Sequence, residues 1–263
     1  MGIVNLTPDS FHAPSRASTD RQLTEAVKRH LDGGAQIIDI GGYSSRPGAD
    51  DVDVKLETFN VLWGIERIKS AFGDELPLSI DTFRASVVHK AVERYGTVIV
   101  NDITAGEGDP EMLDVVAEYK LPYVAMHMRG TPATMQTLTD YRDVVAEVID
   151  YFCRRMELFA QRGLEDVIID PGFGFAKTTE QNFELLRRLD EFAIFGRPLL
   201  AGLSRKGMIW RTLESSPADA LNGTTALNMA ALERGANILR VHDSREASEA
   251  IKLFEAMQKT ANN

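Results

Sequence analysis

Short apolar runs recur along the chain. Each is followed by a polar stretch and then by a segment whose apolar residues fall at helical spacing. The runs are Gly2–Leu6, Gln36–Ile40, Leu78–Asp81, Val98–Asn101, Tyr123–Met126, Val167–Asp170, Leu199–Ala201 and Ile238–Val241. They are short, continuous and often β-branched, as parallel strands covered on both faces must be. Between them the pattern predicts helices over Thr19–Gly33, Val54–Phe72, Ala85–Tyr95, Pro110–Tyr119, Tyr141–Arg162, Thr179–Phe195 and Ser244–Thr260. One more helix is expected to open at Ser216 and Pro217, as N-cap and first-turn proline. Thr19 and Gln22 have the spacing of a capping box. Glycines at Gly33-Gly34, Gly96, Gly163, Gly196 and Gly235 mark helix ends that need a left-handed residue.

Eight strand–helix units, roughly 30 residues apart, predict an α/β fold of the (β/α)8 TIM-barrel type. The expectation is one domain over residues 1–263. A doubly wound open sheet would need a reversal of strand order that no long crossover signals. Loops before strands are short, whereas loops after strands carry the unusual polar residues. In a barrel those loops converge on one face, at the C-terminal ends of the strands, where catalysis sits.

Composition narrows the function. No apolar run approaches the roughly 20 residues a membrane span requires. The start, MGIVNLTPDSF, lacks the basic and long apolar segments of a signal peptide. One cysteine, Cys153, excludes an internal disulfide framework and fits a reducing, cytoplasmic setting. A net charge of -10 argues against nucleic-acid binding while allowing a local basic pocket. No histidine or cysteine spacing reads as a zinc site.

The strand ends supply that pocket. Asp81, Asn101 and Asp170 close the third, fourth and sixth strands and face one mouth. Acceptors plus one amide suit the edge of a flat heterocycle with ring N–H and amine groups. Arg46, Lys206, Arg240 and His242 form a cationic set, with Arg240 and His242 two apart on the eighth strand. Asn5, ending the first strand, offers a neutral oxygen for a hard cation such as Mg²⁺. The glycines of Asp170-Pro171-Gly172-Phe173-Gly174-Phe175 let backbone approach a ligand while Phe175 presents an apolar face.

Taken together these residues resemble the dihydropteroate synthases, the folate-pathway family that sulfonamides inhibit. The matching blocks include Asn5-Leu6-Thr7-Pro8-Asp9-Ser10-Phe11, Asp39-Ile40-Gly41-Gly42 with Ser45-Arg46-Pro47-Gly48, and Ser79-Ile80-Asp81-Thr82. Val100-Asn101-Asp102, the Asp170–Phe175 block, Gly202-Leu203-Ser204-Arg205-Lys206 and Arg240-Val241-His242-Asp243 follow in family order. The resemblance implies that 6-hydroxymethyl-7,8-dihydropterin diphosphate condenses with p-aminobenzoate to give 7,8-dihydropteroate and diphosphate. Substitution at the pterin methylene carbon would be dissociative. It further implies that Asp81, Asn101, Asp170 and Lys206 hold the pterin, with Met126, Phe175 and Arg240 lining its slot. Asn5, Arg46, Arg240 and His242, with Mg²⁺ at Asn5, would hold the diphosphate. Phe11, Ser45, Arg46, Pro47 and Ser204 would form the p-aminobenzoate site, and Asp9 would serve catalysis from the first loop.

The chain departs from the family in both leading loops. Ala13 stands where a cation-stabilising aspartate is usual, and Tyr43 where a glutamate is usual. Family members generally carry a segment before the first strand. They also form homodimers, which makes Ser216–Gly235 and Ser244–Thr260 the candidate surfaces. Two other readings share some of these residues. A corrinoid methyltransferase using methyltetrahydrofolate would need the Asp81/Asn101/Asp170 cluster but not the anion pocket, and a non-catalytic paralogue is motivated only by the altered first loop.

Overall fold

The computed structural model describes residues 1–6, 19–43 and 52–261. Six strands pair in parallel and in sequence order: β1 (Gly2–Asn5), β2 (Ile38–Gly41), β3 (Leu78–Asp81), β4 (Ile99–Asp102), β5 (Tyr123–Met126) and β6 (Val167–Asp170). A second parallel pair, β7 (Leu200–Ala201) and β8 (Ile238–Leu239), stands between β6 and β1. Single bridges Ile169–Leu199 and Gly2–Val241 join it to both neighbours. The eight described strands therefore close into the expected (β/α)8 barrel. Strands seven and eight are shorter than their apolar runs, because Leu199 and Val241 pair only as isolated bridges.

Helices α1 (Asp20–Asp32), α2 (Val54–Phe72), α3 (Ala85–Tyr95), α4 (Met112–Tyr119), α5 (Val144–Gln161), α6 (Thr179–Arg187), α7 (Gly207–Thr212), α8 (Leu221–Glu233) and α9 (Ser244–Ala261) fill the connections. Leu23, Ala26, Val27 and His30 are the buried residues of α1, spaced three and four apart as one helical face. Thr19 caps α1 by accepting from Gln22 N, and Gly34 follows at φ +88, where an added Cβ would lie 2.7 Å from Ser248 Oγ.

Two expectations need correction, and one helix was not foreseen. The run Thr179–Phe195 divides at Arg188 into α6 and a tighter 3-10 helix, Leu189–Phe195. Ser216 opens a turn, with Asp219 N donating to its carbonyl and its hydroxyl donating to Asp219, and α8 starts only at Leu221. The short helix α7 was hidden, since six residues are too few to show a period.

Strand alternation locates the site. Val124, Ile168 and Leu200, with Ile99 and Ile238, form a small apolar cluster inside the ring. Two residues further along their strands stand Met126, Asp170, Asn101 and Arg240. A period of two keeps them on the inner face, one layer nearer the mouth. Register adds Asp81 opposite Asn101, and Asp39 opposite Ser79. The apolar layer below excludes water, and burying an aliphatic side chain there stabilises by roughly 1.5–3 kcal/mol. Among the described residues no helix is long and apolar enough to cross a membrane.

Candidate active site

Arg240 organises one half of the mouth. Its Nε donates to Asp39 Oδ2 at 2.7 Å and its Nη2 to Asp81 Oδ2 at 2.6 Å. Nη2 also lies 2.6 Å from Asp39 Oδ2, and Asn101 Nδ2 donates to the same oxygen at 3.3 Å. The Asp39 side chain is fully buried, whereas Asp81 keeps 19% exposure toward the mouth. Burial pushes the Asp81 carboxyl up to about 7; Arg240 opposes the rise and the neighbouring Asp39 charge adds to it. One guanidinium cannot fully satisfy two carboxylates.

The other half forms around Asp170 and Lys206. Asp170 Oδ1 accepts from Gly172 N at 2.8 Å, and burial raises its carboxyl against the pull of Lys206. Lys206 Nζ donates to the Phe173 carbonyl and sits 4.8 Å from the centre of the Phe175 ring. Burial draws its ammonium down to about 8, with Asp170 holding it up. Room for the Lys206 stem comes from Gly174, at φ +80, where an added Cβ would lie 3.0 Å from Cδ. Met126, Ile103, Met128, Met135 and Ala176 cluster here, packed against Phe83 and Phe175.

The loop between β7 and α7 is set by Arg205, at φ +55. Its guanidinium grips Asp243 bidentately, at 2.8 and 2.9 Å, and donates to the Pro217 and Ala218 carbonyls. Those bonds hold a conformation that costs an L-residue roughly 1–2 kcal/mol. Ser204 Oγ lies 3.0 Å from His242 Nδ1 and accepts from His242 N at 3.2 Å. Arg240 is thus held by Asp39 and Asp81, and His242 by Ser204.

Asp81, Asn101, Asp170, Lys206 and Arg240 thus come together at one mouth, with Met126 and Phe175 beside them. Asn5 ends β1 opposite Gly41, which in turn pairs with Asp81. Asp9, Phe11, Ser45, Arg46 and Pro47, as well as Ala13, lie outside the described residues. Tyr43 meets Phe83 edge-on at 5.1 Å and the Arg84 guanidinium at 5.3 Å. The carboxylate that answers Arg84 is the buried Glu57, at 2.6 Å.

Sequence reasoning missed two members. Asp39 sits mid-strand in an apolar run, and its partner Arg240 is 201 residues away. Its signals were a charge inside Ile38-Asp39-Ile40, where an unpaired carboxylate would be costly, and its place at the head of the Asp39–Gly42 block, to which no role was given. Lys177 follows the glycine-rich block and is buried, with Nζ 3.0 Å from His127 Nδ1.

Residues 1–242 match the family model described as pterin binding enzyme. The dihydropteroate synthase of Escherichia coli is 42% identical, over 100% of this chain and 93% of its own. A Yersinia pestis dihydropteroate synthase solved with a sulfonamide drug superposes with a TM-score of 0.92 at 35% identity, over 98% of this chain and 93% of that one. A Xanthomonas albilineans dihydropteroate synthase solved with 4-aminobenzoic acid gives 0.87 at 39% identity, over 98% and 92%. Fold, mouth and likeness agree, and the chain belongs to the pterin-binding enzymes, among the dihydropteroate synthases.

Proposed function

We propose that the mouth joins 6-hydroxymethyl-7,8-dihydropterin diphosphate to p-aminobenzoate, releasing diphosphate, with the residues in the following roles. The observation that carries this reading is the convergence of Asp81, Asn101 and Asp170 with Lys206 and Arg240 above a dry apolar layer. The carboxylates accept from the pterin's ring N–H and amine groups, and the Asn101 amide meets its carbonyl or ring nitrogen. Met126 and Phe175 cover the ring. Arg240 contacts the carboxylates through Nε and Nη2, which leaves Nη1 outside both contacts. It packs over the pterin and turns toward the diphosphate.

The C–O bond at the methylene carbon breaks and diphosphate leaves with the electron pair. The electron-rich pterin stabilises the developing cation. Arg240 and His242, with Arg46 from the second loop, stabilise the growing negative charge in a preorganised site. The arylamine nitrogen, neutral at pH 7, attacks the carbon and gives its proton to solvent, so no strong general base is needed. Ser204, with Phe11, Ser45, Arg46 and Pro47, receives p-aminobenzoate, and Asp9 assists from the first loop.

The described residues contain no group of three or more metal-ligating His, Cys, Asp or Glu side chains. A lone neutral oxygen at Asn5 fits Mg²⁺ carried in by substrate phosphates, a hard cation that keeps much of its water. Asn5 would hold it, and it would neutralise charge on the departing diphosphate. The enzyme works in the cytoplasm as a homodimer. Support for the dimer comes from Leu253 and Met257 of α9, which are 63% and 51% exposed.

The test measures diphosphate release by the wild type and by Lys206→Ala. Release should require both p-aminobenzoate and Mg²⁺, and the variant should bind pterin about tenfold to a hundredfold more weakly and turn over far more slowly. Unchanged kinetics would remove Lys206 from the site. Pterin binding by the wild type without any product would overturn the activity.

A further inference from the structure

Lys177 is 5% exposed and His127 2%. Lysine Nζ stands 3.0 Å from His127 Nδ1, 3.0 Å from the Gly172 carbonyl and 3.1 Å from the Phe175 carbonyl. Nζ donates to both carbonyls in either protonation state, and toward His127 Nδ1 it donates as an ammonium or accepts as an amine. Burial pulls the ammonium down to about 7 while Asp170 holds it up. A buried amino group is thus kept where it binds two carbonyls of one turn.

That turn is also fastened to His127 by other means. His127 N donates to the Asp170 carbonyl at 3.0 Å. A Cβ on Gly172, which sits at φ +74, would lie 2.0 Å from the His127 carbonyl oxygen. On its outer side the His127 ring meets Tyr151 edge-on at 4.9 Å. The turn itself closes with Phe175 N donating to the Gly172 carbonyl at 3.2 Å. The two carbonyls that Lys177 grips are therefore the acceptor that closes the turn and the residue whose ring lies under Lys206.

We propose that Lys177 is a positioning residue for the pterin slot, fixing the Gly172–Phe175 turn against β5 and through it the Phe175 ring and the Asp170 carboxylate. The proposal rests on the assignment of Asp170, Phe175 and Lys206 to pterin. Its effect should fall on the pterin substrate, because it shapes the pterin side of the mouth and not the loops expected to hold p-aminobenzoate.

Steady-state kinetics and hydrogen exchange on Lys177→Met and Lys177→Gln test this. Loss of the amino group in Lys177→Met should raise KM for the pterin diphosphate about tenfold or more, with kcat and the p-aminobenzoate KM within about threefold. Lys177→Gln, which keeps amide donors, should recover part of the loss. In a Phe175→Ala background the same Lys177→Met change should add less than about twofold, since the residue it positions is gone. Amide exchange at Gly174 and Phe175 should quicken in both variants while Val124 and Ala125 stay protected. Equal shifts in both KM values, full additivity with Phe175→Ala, or unchanged exchange in the turn would each overturn the proposal. If Lys177→Met does not fold, the exchange and KM split in Lys177→Gln decide it. Calorimetry of pterin binding to the wild type separates the two questions. No binding there defeats the site assignment, while exchange still reports whether Lys177 fixes the turn.

Discussion

At the mouth, one arginine serves two carboxylates, and the imbalance has a pH signature. Asp81 must be ionised to accept from a pterin N–H, and its carboxyl is pushed up to about 7. Lys206 must be an ammonium, and burial draws it down to about 8. We expect kcat/KM for the pterin to fall on the acid side of about 7 and again above about 8. Lys206→Arg should abolish the basic limb, and a flat profile from pH 6 to 9 would contradict both assignments. Asp39 touches no solvent and acts through Arg240. Asp39→Asn should lower kcat/KM about tenfold, ~1.4 kcal/mol of transition-state stabilisation, by letting the guanidinium swing. If the rate is unchanged, something other than Asp39 orients Arg240. The sequence made Asp81, Asn101 and Asp170 legible because each sits where an apolar run meets a polar loop. Asp39 was not legible because its partner Arg240 comes from the last strand, and Lys177 because its burial against His127, just past β5, leaves no local pattern, near as its two carbonyl partners are.

Elements depend on a few close approaches. His30, on α1, sits between the Ile3 carbonyl of β1, 3.0 Å from Nε2, and Ser244 Oγ at the start of α9, 2.6 Å from Nδ1. Burial lowers its pKa below the ordinary imidazole value, so the folded state prefers the neutral ring. The stability this contributes is present above the unfolded pKa and is lost as pH falls through the folded value. Thermal melts of His30→Gln should therefore lose less stability than wild type on acidification below about pH 6.5. At Gly172, an alanine Cβ would lie 2.0 Å from the His127 carbonyl oxygen, and the cost should be roughly 3 kcal/mol. A chemical denaturation midpoint unchanged by Gly172→Ala would contradict that approach. Most element types followed from periodicity, with ends such as Pro110 and Tyr141 drawn in by two or three residues. The larger changes were at Ser216, where a turn uses the same residues as a cap, and at Arg188, where the helix tightens. Both belong to tertiary context rather than to pattern.

For the whole molecule, the outer helices include α9, whose Leu253 and Met257 face outward. Sedimentation should report a dimer for the wild type and a monomer for Leu253→Glu if α9 lies at the interface; an unchanged mass would place the interface elsewhere. The ring itself is not uniform. Six strands share continuous ladders, whereas β7 and β8 pair over two residues each and attach to their neighbours through single bridges. Asp81, Asn101 and Asp170 belong to the long arc, while Lys206, Arg240 and His242 belong to the thin segment or its loops. A ligand lying between them is a rivet across a seam. It would couple two cooperative units of unequal stability, so amide exchange in Leu200–Ala201 and Ile238–Leu239 should slow more on pterin binding than in Tyr123–Met126. The weak part of the ring would then be the part that registers occupancy, and the barrel would be sturdiest when it is at work.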